Sequence, residues 1–115
     1  MYTMDEFFLI LHDGADSPFF ALSPEEMQGV VTRYGEWAQR MAEQGRLRGG
    51  HKLEDGTARQ MVGDRVTDGP FPETKEVVGG VFLIAAADYE DAVAVAKTCP
   101  HLEFGRIEVR RVDPV

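Results

Sequence analysis

Two short runs limit what this chain can fold into. Phe7 to Leu11 is unbroken apolar sequence, too short for a helix and the right length for a strand. Gly80 to Ala87 is a second such run. In an extended backbone successive side chains point to opposite faces. Phe7, Leu9 and Leu11 therefore oppose Phe8 and Ile10, and Val81, Leu83 and Ala85 oppose Phe82, Ile84 and Ala86. A strand with one face in water alternates apolar with polar residues, and neither run does. Leaving Phe8, Ile10, Phe82 and Ile84 wet would forgo roughly 1.5–3 kcal/mol for each large side chain. Both faces of the sheet need cover.

The rest of the chain supplies helices for one face. Ser23 is an N-cap, Pro24 suits the first helical position, and Glu26 completes a capping box. Met27, Val30, Val31, Tyr34, Trp37, Ala38 and Met41 then recur at helical spacing, and Gly45 ends the helix. Leu47 to Leu53 reads as a strand in which Gly49 and Gly50 mark a bulge or a close backbone approach. Asp55-Gly56 is a hairpin turn signal, with Thr57 to Val66 as the returning strand. Asp88 caps a second helix bearing Tyr89, Ala92, Val93 and Ala96, which Pro100 stops. Arg106 to Val112 is the last strand. The order predicts an α+β fold, a ferredoxin-like sandwich with an added hairpin. Two helices cover one face, so the other is expected to meet a second copy of the same sheet across a two-fold axis. The competing cover is the loop from Gly14 to Leu22, which carries Phe19 and Phe20.

With 115 residues, positions 1–115 make a single domain able to bury roughly two thirds of its unfolded surface. The single cysteine, Cys99, excludes an internal disulfide and fits a reducing compartment. The opening residues lack a basic region before their apolar run, and no apolar stretch reaches membrane-spanning length, so a cytoplasmic location is expected. The net charge of −8 repels nucleic acid, and Glu108 interrupts the arginines at 106, 110 and 111.

Chemistry concentrates in Val66 to Glu76, a Gly-Pro corner with Asp68 before it and Glu73, Lys75 and Glu76 after it. Asp68 either accepts turn amide hydrogens or serves as a general base. Glu73 and Lys75 stand two apart and share a side of an extended backbone. They form an ion pair, or Lys75 holds an anionic substrate. His12 ends the first strand, and His51 adjoins the glycine pair and could share a cavity with Asp68. His101, after Pro100, reads as an exposed loop residue. Glu108 and Arg110 alternate with Ile107 and Val109, so they lie on the face away from the helices, paired or lining a pocket. Tyr34 and Trp37 read first as core, with Tyr34 also a candidate ligand contact. No His or Cys has metal-ligand spacing, no phosphate-binding or dinucleotide loop is present, and no cofactor is implied. Cys99 lies near a helix C-terminus, a position that does not activate a thiol.

Asp68-Gly69-Pro70-Phe71, then Glu73-Thr74-Lys75-Glu76 and Gly79-Gly80 before an apolar strand, resembles the signature of the YCII-related family in its DGPF branch. Met27 to Trp37 resembles that branch's first helix and Gly45 to Leu53 its following strand. Tyr89 to Val93 through Cys99-Pro100 resembles its second helix, and Ile107 to Arg110 its closing strand. The resemblance implies a dimeric α/β barrel. In the wider family a His on the first helix and an Asp are proposed as a catalytic pair, and relatives carry out lyase-like or lactone-related chemistry. Asp68 would correspond to that Asp. The helix here has no His, so His12 or His51 would have to replace it. The resemblance thus leaves two expectations. One is a small cofactor-independent enzyme acting on a small organic molecule, with Lys75 or Arg110 steadying negative charge. The other is a non-catalytic ligand-binding or regulatory protein, since DGPF-type proteins often occur beside sigma-factor genes.

Overall fold

The computed structural model describes residues 4–69 and 76–115. β1 (Asp5–Gly14) leads through a short 3-10 turn (Pro18–Ala21) to α1 (Pro24–Glu43) and β2 (Leu47–Lys52). β3 (Arg59–Val62) and β4 (Arg65–Asp68) precede β5 (Glu76–Ala86), α2 (Tyr89–Ala96), a second 3-10 turn (Pro100–Glu103) and β6 (Arg106–Arg111). β2, β5, β1 and β6 form an open antiparallel sheet in that order, and among the described residues β3 pairs only with β4. The architecture is α+β: two helices on a four-stranded sheet, plus a hairpin.

Local chemistry sets the helix ends. The Ser23 side chain accepts from the Glu26 amide while the Glu26 carboxylate accepts from the Ser23 amide. At the other end Gly45 takes φ 73°, its amide donating to the Ala42 carbonyl and the Arg46 amide to that of Met41, a Schellman closure. Asp88 caps α2 by accepting from the Asp91 amide.

The core lies where both helices meet one face of the sheet. Trp37 and Met41 of α1 and Ala92, Val95 and Ala96 of α2 bury Phe7, Leu9, Ile84 and Ala86. The Trp37 ring meets Phe82 edge-on at 4.9 Å, and its indole N–H donates to Thr98 Oγ1 at 2.8 Å. The Arg46 guanidinium grips both Asp91 carboxylate oxygens at 2.5 and 3.1 Å, tying β2 to α2 and holding the Asp91 carboxyl below its ordinary range.

Register sorts the doubly apolar strands differently from the expectation for β5. Phe7 pairs with Ile84 and Leu9 with Phe82, so Phe82 and Ile84 share the helix-covered face. The far face carries Phe8 opposite Leu83 and Ile10 opposite Val81, with Arg110 and Glu108 on their other flank. Phe8 there is 38% exposed. The Gly14–Leu22 segment does not roof that face. Phe19 turns to the helix side and packs on Phe104, and the Ser17 hydroxyl donates to the Phe104 carbonyl at 2.7 Å. The returning strand expected at Thr57–Val66 is also corrected. Asp55-Gly56 does turn, but Gly63, at φ 62°, opens a second, two-residue turn that folds β3 onto β4. The resulting hairpin exposes Met61, Val62 and Val66.

Trp37→Ala is expected to cost about 3–5 kcal/mol of unfolding free energy. Thr98→Val, which strands the indole N–H, should cost about 1–3 kcal/mol. Denaturant titration followed by far-UV circular dichroism measures both. A Trp37→Ala loss below about 1 kcal/mol would contradict the packing described.

Candidate functional site

The apolar stripe of α1 does two jobs. Its C-terminal part, Trp37 and Met41, fills the core. Its N-terminal part, with Met27, Val30, Val31 and Tyr34, walls a cavity of about 510 Å³ between helix and sheet. Leu11, Gly50, Phe82 and Phe19 complete the apolar lining. This volume falls within the roughly 300–1,000 Å³ of small-molecule sites. Gly50 accounts for one wall: a Cβ there would come within 2.6 Å of the Phe82 ring, so only glycine lets the ring lie across β2. The glycine pair expected to mark a bulge or close approach does both, since the β2–β5 register shifts between Leu47 and Gly49.

The polar end is built from three elements. β1 presents its inward residues at alternate positions, and after Phe7, Leu9 and Leu11 the next is Asp13. Asp13 is 5% exposed, and its Oδ1 has no hydrogen-bond partner among the described residues. His101, in the second 3-10 turn, places Nε2 at 3.7 Å from that oxygen. The same Nε2 lies 2.9 Å from the His12 carbonyl, and Nδ1 lies 2.8 Å from the Tyr34 hydroxyl. A carbonyl only accepts, which assigns the ring proton to Nε2. Nδ1 of the neutral ring then accepts from the Tyr34 O–H. Burial raises the Asp13 carboxyl above its ordinary 3.8, opposed by the charge His101 can carry. Burial likewise pushes the Tyr34 phenol upward, so it stays protonated.

Two glycines clear space for this group. A Cβ at Gly79 would sit 2.2 Å from Asp13 Oδ2, and one at Gly105 would sit 2.0 Å from the His12 carbonyl oxygen. Gly79 is the extra residue where the β1–β5 register slips between Leu11 and His12. His51 and Lys52 of β2 and Asp55 also line the cavity, with Lys52 Nζ held 2.9 Å from Asp55 Oδ1.

Of the residues singled out from sequence, Tyr34 and His51 meet at this cavity. Asp68 does not line it. Asp68 stands at the end of β4 with its side chain 87% exposed, 3.2 Å from Arg59 Nε. His12 points to the far face of the sheet, 3.0 Å from Glu108 Oε1, and Arg110 lies 3.3 Å from the other Glu108 oxygen. These partners, His12 first, hold the Glu108 carboxyl below its ordinary range. Glu73 and Lys75 lie outside the described residues. His101, expected in an exposed loop, is instead 3% exposed, because the 3-10 turn after Pro100 carries it inward beneath α1. Asp13 had a legible signal, a carboxylate in phase with the inward residues of β1. Nothing local marks His101. Burial pushes the Cys99 thiol up to about 11, so it is protonated near neutrality. Among the described residues no group of His, Cys, Asp and Glu could hold a metal ion, and no helix is long and apolar enough to cross a membrane.

A carboxyl whose pKa is raised by folding binds more protons folded than unfolded. It therefore favours folding below about its ordinary pKa, and that contribution is lost as pH rises through the raised folded value. Asp13→Asn, which removes the charge and keeps the shape, is accordingly expected to stabilise the protein at about pH 7 by roughly 1–3 kcal/mol. The gain should shrink toward about pH 4, as thermal unfolding across pH would record. A gain independent of pH would contradict the burial of this charge.

No curated protein matches the chain. The family model of the YCII-related domain matches residues 6–115, which takes in every element of the sheet and both helices, and the chain belongs to that family.

Proposed function

We propose that the protein is a small cofactor-independent enzyme that moves protons on a small organic molecule held between α1 and the sheet. The observation carrying this reading is the Asp13 oxygen, without a hydrogen-bond partner among the described residues, beside His101 in an apolar cavity. Perturbed acids in clefts are functional-site candidates on physical grounds. A ketone–enol isomerisation illustrates the step. The Asp13 carboxylate takes the proton from the substrate C–H as that bond breaks, and the same carboxyl returns it to the substrate carbonyl oxygen. The substrate leaves as the neutral enol and Asp13 is again a carboxylate. Tyr34 donates to His101 Nδ1 and so holds the imidazole 3.7 Å from Asp13. His51 and Lys52 also line the cavity. Asp68, on the exposed hairpin, has no part in this step.

The second reading, a non-catalytic ligand-binding or regulatory protein with the sigma-factor association its resemblance implies, is favoured by one observation. Both His101 nitrogens are engaged by groups that also tie the second 3-10 turn to β1 and α1. We further propose the DGPF branch, on Asp68-Gly69-Pro70-Phe71, and the ferredoxin-like arrangement, on the strand order β2-β5-β1-β6. A homodimer that stacks the far faces of two sheets is proposed on the exposure of Phe8 and the apolar Ile10, Val81 and Leu83 around it.

Deuterium uptake at the α-carbon of cyclohexanone, followed by proton NMR in D2O, tests the chemistry. The protein is expected to accelerate exchange over buffer, with Asp13→Asn and Tyr34→Phe each losing about tenfold or more. A rate equal to buffer would leave the non-catalytic reading. For the dimer, light scattering should return twice the chain mass at micromolar concentration, and Phe8→Glu should return one. A monomeric native protein would refute the stacking.

A further inference from the structure

The polar end of the cavity has a definite hydrogen-bonding sense. Asp13 Oδ1 is an acceptor with no donor among the described residues. The Tyr34 proton is committed to His101 Nδ1, which leaves the Tyr34 oxygen with acceptor capacity alone. His101 Nε2–H is committed to the His12 carbonyl. The end wall therefore offers acceptors and asks for a donor.

Charge narrows the choice. An anionic headgroup would meet the Asp13 carboxyl, and Lys52, the cation in the lining, is already held by Asp55 at 2.9 Å. An ammonium would be stripped of water among Met27, Val30, Phe19 and Phe82, and Lys52 in the same lining would repel it. An apolar molecule without a donor leaves the buried carboxylate oxygen as it stands, at the cost of an unmade hydrogen bond. A hydroxyl satisfies the acceptor without bringing charge.

We propose that this cavity takes a neutral, mainly apolar ring compound bearing a phenolic or enolic O–H, which that group donates to Asp13 Oδ1 while the ring lies against Phe19, Phe82 and Met27. The inference rests on the same site as the proton-transfer reading and names its ligand class, for the enol of that step is such a compound. It is nonetheless a statement about binding and is measured without turnover.

Phenol, anisole, benzoate and benzylamine share one ring and differ in donor and charge. Titration of the native protein at about pH 7, followed by ligand-observed NMR, should rank phenol about ten- to a hundredfold above the other three. Asp13→Ala should bring phenol and anisole to equal affinity. If that variant does not fold, the carboxyl carbon-13 resonance of Asp13 in the native protein serves instead, moving with phenol and not with anisole. Benzoate or benzylamine binding as tightly as phenol would overturn the proposal. So would a phenol affinity unchanged by Asp13→Ala, or an Asp13 resonance indifferent to phenol. Phenol selectivity without cyclohexanone exchange would refute the enzyme reading and leave this one. Exchange accompanied by a preference for benzoate would do the reverse.

Discussion

The contact of Trp37 with Phe82 decides where this molecule is solid and where it is hollow. Phe82 can lie across β2 only because position 50 is glycine, and Trp37 meets its edge from above. On the C-terminal side of that contact α1 descends onto Leu9, Ile84 and the alanines of α2. On the N-terminal side the same apolar stripe stands off the sheet and becomes the wall of a cavity. One amphipathic helix thus supplies both core and cavity wall. The division point is set by the size of one aromatic pair and the absence of one Cβ.

The inner end of the cavity shows how a sheet can hold an acid that its own packing disfavours. Asp13 is in phase with three core residues, so pairing β1 in register forces it inward. The slip at Gly79 and the missing Cβ there give the carboxylate room, and His101 arrives from the far end of the chain as its neighbour. Unpaired buried carboxyls destabilise folded proteins, and such groups persist where function uses the perturbation. The imidazole is fixed on both sides, to a strand carbonyl and to a helix tyrosine. It is a structural tie between β1, the second 3-10 turn and α1.

The far face of the sheet poses a separate problem. Phe8, Ile10, Val81 and Leu83 form an apolar strip beside the His12–Glu108–Arg110 group. Among the described residues, the segment with aromatic residues to spare, around Phe19, is drawn to the helix side by Ser17 and Phe104. No described segment covers this strip, and this is the physical ground for the stacked dimer proposed above.

Read alone, the sequence determined both helices and the strands of the four-stranded sheet, though not the hairpin of β3 and β4. Capping at Ser23 and Asp88, the glycine stop at Gly45 and the apolar runs of β1 and β5 act within a few residues of themselves, and local rules suffice for them. It also held the signal for Asp13, in phase with Leu11. It did not show which of the two β5 faces would meet the helices, because both are apolar and only pairing with β1 breaks the tie. It favoured Asp68, where charge clusters along the chain, over His101, which reaches Asp13 across 88 positions only after α2 has packed and the turn at Pro100 has closed. Charge density along a chain is a local property, whereas the convergence of Asp13, Tyr34 and His101 is made by packing, and only the tertiary structure could decide it.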